Sequence, residues 1–129
     1  MSSQQDDDVR VLFVEDDPSV AQMYKLKLEL DGYKVEVAQD GELALQMATS
    51  NPPDIIFLDI RLPKMDGLGV LEALRKDPRT KPVPVVILSN YSERELIERG
   101  LKLGALEYLI KSQTTPAKLA GGVESWLKG

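Results

Sequence analysis

Glu15, Asp16, Asp59, Ser89 and Lys111 each stand where an apolar run breaks off, and together their types could do chemistry. Glu15 and Asp16 follow VRVLFV, Val9 to Val14; Asp59 closes the run that begins at Asp54; Ser89 follows VVIL, Val85 to Leu88; Lys111 follows Leu106 to Ile110. A carboxylate abutting a buried run is costly unless it is paired or bound to a metal. Three carboxylates brought together repel unless a cation sits among them. The chain has no His and no Cys, so the donors to that cation are oxygens, which points to Mg²⁺, Mn²⁺ or Ca²⁺. Mg²⁺ suits best, because it binds one or two carboxylates together with phosphate oxygens. A cation, Lys111 and Ser89 around Asp59 would make a phosphoryl-transfer site. Asp59 would be the nucleophile and form an aspartyl phosphate. Lys111 and the metal would neutralise charge on the transferring group, and Ser89 would hydrogen-bond one of its oxygens.

That reading requires the runs to be neighbouring strands. Short apolar runs bounded by turn signals read as strands buried on both faces. Between them lie helical patterns with start and stop signals. Asp17-Pro18 predicts a cap and first turn, with Val20, Met23, Leu26 and Leu30 recurring on one face to Asp31-Gly32. Asp17 is therefore assigned to the cap and not to the metal. Lys34 to Ala38 alternates like an outer strand, and Asp40 caps a second helix to about Thr49. Asp66-Gly67 opens a third, with Val70, Leu71 and Leu74 inward; Ser92 and Glu95 predict a capping box for a fourth. Thr115-Pro116 starts the last, through Leu119, Val123, Trp126 and Leu127. Gly121-Gly122 costs that helix about 1 kcal/mol per glycine, so it is expected to be the least stable, docked by its apolar stripe. Five strand-then-helix units with short links predict an α/β, doubly wound (βα)5, flavodoxin-like fold. Its five-stranded parallel sheet takes the order 2-1-3-4-5. In that order strands one, three and four are adjacent, so the acids converge at the carboxyl edge.

Composition narrows the classes. At 129 residues, 43% hydrophobic and 29% charged, the chain reads as one globular domain. Residues 1–8 read as a disordered acidic tail rather than a signal peptide, and residues 9–128 as the domain. No apolar run approaches the roughly 20 residues of a membrane span. A net charge of −5 argues against nucleic-acid binding by the domain itself. The absence of cysteine favours the cytoplasm. The absence of histidine removes imidazole-based triads and phosphohistidine from this chain.

From Val9 to Lys128 the sequence resembles a response-regulator receiver domain, the CheY-like phosphoacceptor module of two-component signalling. The resemblance is carried by VEDD at Val14 to Asp17, DIRLPKMDG at Asp59 to Gly67, Ser89 after VVIL, and YLIK at Tyr108 to Lys111. It implies that Asp59 accepts a phosphoryl group from a histidine kinase or histidine phosphotransfer protein. It implies Mg²⁺ (or Mn²⁺) held by Asp59, Asp16, Glu15 and the backbone carbonyl of Arg61. The domain would catalyse its own phosphorylation and slow dephosphorylation without being an enzyme in the usual sense. Ser89 and Tyr108 would be switch residues that alter the face of the fourth helix, fifth strand and fifth helix. That face would signal to an output partner or domain, or form a homodimer. Arg61, Asn90 and Tyr91 fall at positions that tune hydrolysis, and a bulky Tyr91 would screen the acyl phosphate and prolong its life.

Two positions depart from the family pattern. Ser112 replaces the proline that usually follows the lysine in a cis bond, so a trans bond and a rearranged turn would affect how Lys111 is aimed. Asn90 replaces a small residue after the hydroxyl and would crowd the donor or bond the phosphoryl group. Rival readings are weaker. An aspartyl-phosphate hydrolase wants an acid where Arg61 stands. A flavin binder wants a Ser/Thr/Gly-rich loop where Glu15-Asp16-Asp17 stands. The complete acid set argues against a degenerate receiver that binds partners without phosphorylation, while Ser112 and Asn90 keep that reading open. Both a stand-alone receiver and a piece of a longer chain fit the sequence.

Overall fold

The computed structural model describes residues 8–128; the tail expectation for residues 1–7 lies outside them. In chain order the elements are β1 (Arg10–Val14), α1 (Pro18–Leu30), β2 (Lys34–Ala38), α2 (Gly41–Ser50) and β3 (Ile55–Leu58). They continue with α3 (Gly67–Lys76), β4 (Val85–Ser89), α4 (Arg94–Lys102), β5 (Glu107–Ile110), a 3-10 turn (Lys111–Gln113) and α5 (Pro116–Lys128). The five strands form one parallel sheet in the order β2-β1-β3-β4-β5, as expected.

Strand alternation sorts the core into two layers. Leu12, Val14, Ile56, Leu58, Val85 and Ile87 face α2, α3 and α4 and pack with Ala44, Val70, Leu71 and Leu74. Val11, Phe13, Ile55, Phe57, Val86 and Leu88 face α1 and α5 and pack with Tyr24, Leu28, Leu119 and Val123. Both faces of β3 are buried, which is why its sequence is continuously apolar rather than alternating.

The helix caps form largely as the sequence predicts. Asp17 accepts from the N–H groups of Ser19 and Val20 ahead of Pro18. Asp40 accepts from Leu43, and Asp66 from Gly69. Thr115 Oγ1 accepts from Lys118. The capping box does not form: α4 begins at Arg94 with Glu93 in the cap position, and no side chain caps it. Ser92 sits one residue too early.

The buried face of α1 also differs. Ala21, Tyr24 and Leu28 turn inward, while Met23, Leu26 and Leu30 are 49%, 55% and 74% exposed. Tyr24 stacks on Phe13 of β1 with ring centroids 5.2 Å apart. Trp126 packs edge-on against Phe57 at 5.7 Å, so α5 is docked by its stripe as predicted. Its Gly122 has a packing reason: a Cβ there would come within 2.7 Å of the Trp126 ring. No helix among the described residues is long and apolar enough to cross a membrane.

Candidate functional site

Strand register brings the acids together. Val14 lies opposite Leu58, and Leu58 opposite Ile87. The residues just beyond, Glu15 and Asp59, therefore emerge side by side at the carboxyl edge. Backbone bonds hold both positions: Glu15 N–H donates to Ala38 O at 3.0 Å, and Asp59 N–H to Val14 O at 3.2 Å. Glu15, Asp16 and Asp59 each offer an oxygen within 4.8 Å of the others. Glu15 and Asp59 are 2% and 6% exposed, whereas Asp16 is open to solvent.

Lys111 reaches over from the turn after β5. Its Nζ lies 2.8 Å from Asp59 Oδ2, in a hydrogen bond, and 2.5 Å from Glu15 Oε1. The second contact is a buried ion pair, so Glu15 and Asp59 share the one ammonium. Glu15 Oε2 accepts from the Asp17 N–H at 3.1 Å. Burial raises the Glu15 carboxyl above its ordinary pKa, and the Lys111 bond offsets this only in part. Burial also works against the Lys111 ammonium, but the bonds to Asp59 and Glu15 outweigh it and raise its pKa. Within the cluster, three carboxylates face one ammonium, so the site remains an attractor for positive charge.

The loop from Asp59 to α3 is pressed close to the strand end. Gly67 N–H donates to Ile60 O at 2.7 Å. A Cβ on Gly67 would sit 2.0 Å from the Asp59 carbonyl oxygen, so only glycine fits that approach. At the loop's tip Lys64 takes φ 70°, and Met65 N–H donates back to Pro63 O at 2.7 Å, a γ-turn.

Around the acids opens a cleft of about 270 Å³, walled on one side by Asp16, Asp17 and Val20 and on the other by Arg61, Asn90 and Tyr91. The Arg61 guanidinium stacks over the Tyr91 ring at 4.8 Å. Lys111 forms the cleft's floor with Asp59 and Glu15.

Ser89 and Tyr108 are arranged differently from the rest of the predicted set. Ser89 is fully buried and does not line the cleft; its Oγ accepts from the Tyr91 N–H at 3.0 Å. The Tyr108 hydroxyl donates to the Tyr91 carbonyl at 2.5 Å. Both backbone groups of Tyr91 are thus held by the two residues expected to act as switches. Tyr108 already points toward the β4–α4 loop in this structure. Burial raises its pKa.

The Lys111 turn resolves the question left by Ser112. No cis peptide bond occurs among the described residues, and Lys111 to Gln113 form a 3-10 turn instead. Lys111 still reaches Asp59. Sequence reasoning missed Tyr24, whose hydroxyl bonds the Thr114 carbonyl at 2.5 Å. Nothing local to Tyr24 signals a partner 90 residues away.

The site holds oxygen donors of the kind a hard divalent cation takes. Three carboxylate oxygens within 4.8 Å of one another, two of them buried on Glu15 and Asp59 and one on the exposed Asp16, with a single ammonium among them, fit such an ion.

The chain is similar to known proteins. The family model for the response regulator receiver domain matches residues 11–121. The DNA-binding dual master transcriptional regulator RpaA of Synechocystis is 38% identical over 102 residues, 79% of this chain and 42% of that protein. The transcriptional regulatory protein PrrA of Mycobacterium tuberculosis is 44% identical over 102 residues, 79% of this chain and 43% of that protein. The chain thus spans less than half the length of these relatives. The receiver domain of Francisella response regulator 1452 superposes with a TM-score of 0.85 at 36% identity, covering 94% of this chain and 98% of that one.

Proposed function

The chain belongs to the response regulator receiver domain family, and from that premise we propose that Asp59 is its phosphoacceptor. The observation that carries the reading is the Lys111 ammonium on Asp59 Oδ2, in a cluster where three acids converge. One carboxylate oxygen of Asp59 attacks the phosphorus of a phosphohistidine on a kinase or phosphotransfer protein. An O–P bond forms, the P–N bond breaks, and the imidazole leaves with the electron pair. Lys111 holds negative charge at the acceptor and at the incoming phosphoryl oxygens. Glu15, Asp16, Asp59 and the Arg61 carbonyl would hold Mg²⁺ or Mn²⁺. When bound, that ion supplies charge neutralisation for the phosphoryl oxygens.

Ser89 and Tyr108 carry the signal outward. Turning the Ser89 hydroxyl to a phosphoryl oxygen breaks its bond from the Tyr91 N–H. The Tyr91 backbone then shifts, and Tyr108, bonded to the Tyr91 carbonyl, shifts with it. The face of α4, β5 and α5 changes shape, a two-state population shift read by an output partner, an output domain or a second copy. Arg61 stacked on Tyr91 beside Asn90 shields the acyl phosphate from water and slows its hydrolysis. The domain spans residues 9–128 and works in the cytoplasm as a signalling module rather than a metabolic enzyme.

The test is intact mass after incubation with acetyl phosphate. One phosphoryl group should be gained with Mg²⁺, and none with chelator or in Asp59→Asn. Uptake by Asp59→Asn equal to wild type would sink the assignment.

A further inference from the structure

We propose that Tyr24 is a positioning residue for Lys111, its buried hydroxyl anchoring the turn that presents the ammonium to Asp59. The inference deepens the phosphoacceptor reading and rests on it. The 3-10 turn, Lys111 to Gln113, has little of its own to fix it. No side chain caps its start, and Ser112 and Gln113 are exposed. The turn closes on Thr114, whose N–H donates to Lys111 O at 3.1 Å and whose hydroxyl donates to Ile110 O at 2.9 Å. Thr114 is itself 8% exposed, and its carbonyl accepts the Tyr24 hydroxyl.

Tyr24 is well suited to hold that carbonyl still. It is 2% exposed on the inner face of α1. Its ring lies nearly parallel to Phe13, at 22°, so the hydroxyl has little freedom. Phe13 belongs to β1, which Glu15 directly follows. The bond therefore ties the turn carrying Lys111 to β1 and α1, between which Glu15 and Asp16 lie. A phenylalanine would fill the same volume without needing a buried acceptor. The hydroxyl's contribution is the link between the two halves of the charge cluster.

The experiment measures phosphoryl uptake from acetyl phosphate with Mg²⁺ in wild type, Tyr24→Phe, Lys111→Ala and the double variant, each below its melting temperature. Losing one buried hydrogen bond should lower the limiting rate by about two- to tenfold, with half-saturation unchanged. Acting through Lys111, the substitution should do nothing further in the Lys111→Ala background, whereas independent effects multiply. An unchanged rate in Tyr24→Phe, or the same loss in both backgrounds, overturns the proposal. Side-chain NMR decides the matter apart from activity. The two Lys111 ε-protons should be inequivalent in wild type and merge in Tyr24→Phe. Should wild type take up no phosphoryl group, the phosphoacceptor reading fails, and the Lys111 signals still decide the role of Tyr24: merging upholds it, no change overturns it.

Discussion

At the amino edge of the sheet, the Arg75 guanidinium donates to the carbonyls of Val83, Lys81 and Gly104 at 2.9 to 3.1 Å. At the carboxyl edge, the buried carboxylates of Glu15 and Asp59 share one lysine, with Asp16 beside them. Arg75 pins the end of α3, the loop into β4 and the turn before β5 in one grip. No carboxylate among the described residues pairs with it, and burial lowers its pKa. Arg10 acts likewise at the start of β1, on Asn51 and Pro52. One edge saturates its charge with backbone acceptors and so contributes to the fold. The other leaves charge of one sign in excess, which costs stability until something positive arrives. Proteins break local rules of polar satisfaction mainly where they bind or react.

Gly67→Ala should have the largest effect, because its Cβ would fall 2.0 Å from the Asp59 carbonyl. Forcing the loop away should cost about 3 kcal/mol in urea unfolding and lower phosphoryl uptake together. A wild-type midpoint would mean that the loop is a soft mount, not a rigid one. Arg75→Met should cost about 2 kcal/mol and leave uptake per folded molecule unchanged. A selective loss of uptake would erase the division between the edges. Glu15→Gln should act in the opposite direction. It keeps the shape and removes a buried charge, so the cation-free protein should gain about 1 kcal/mol, while Mg²⁺ stabilises it less than wild type.

The sequence carried the sheet order and the convergence of Glu15, Asp16 and Asp59, because alternation and strand ends fix both. It carried the cap at Asp17 because the cap is local. It misplaced the buried face of α1 because Met23, Leu26 and Leu30 have helical spacing as regular as that of Ala21, Tyr24 and Leu28. Only tertiary packing, with Tyr24 stacked on Phe13 and bonded to Thr114, selects the second set. The capping box failed because Ser92 and Glu95 show a pattern without showing where the helix begins. Ser89's bond to Tyr91 and Tyr24's bond to Thr114 depend on loop backbone that no periodicity encodes.

The most direct measurement is the melting temperature of wild type and Asp59→Asn, each with and without Mg²⁺. Without the ion, the variant should melt above wild type, because it removes one of the crowded carboxylates. Ion at about a hundred times its Kd adds about 2.7 kcal/mol, so wild type should rise by on the order of 10 °C and the variant far less. If Mg²⁺ leaves wild type unmoved and the variant melts lower without it, Asp59 and Lys111 are a structural ion pair, and the carboxyl edge is scaffold like the other.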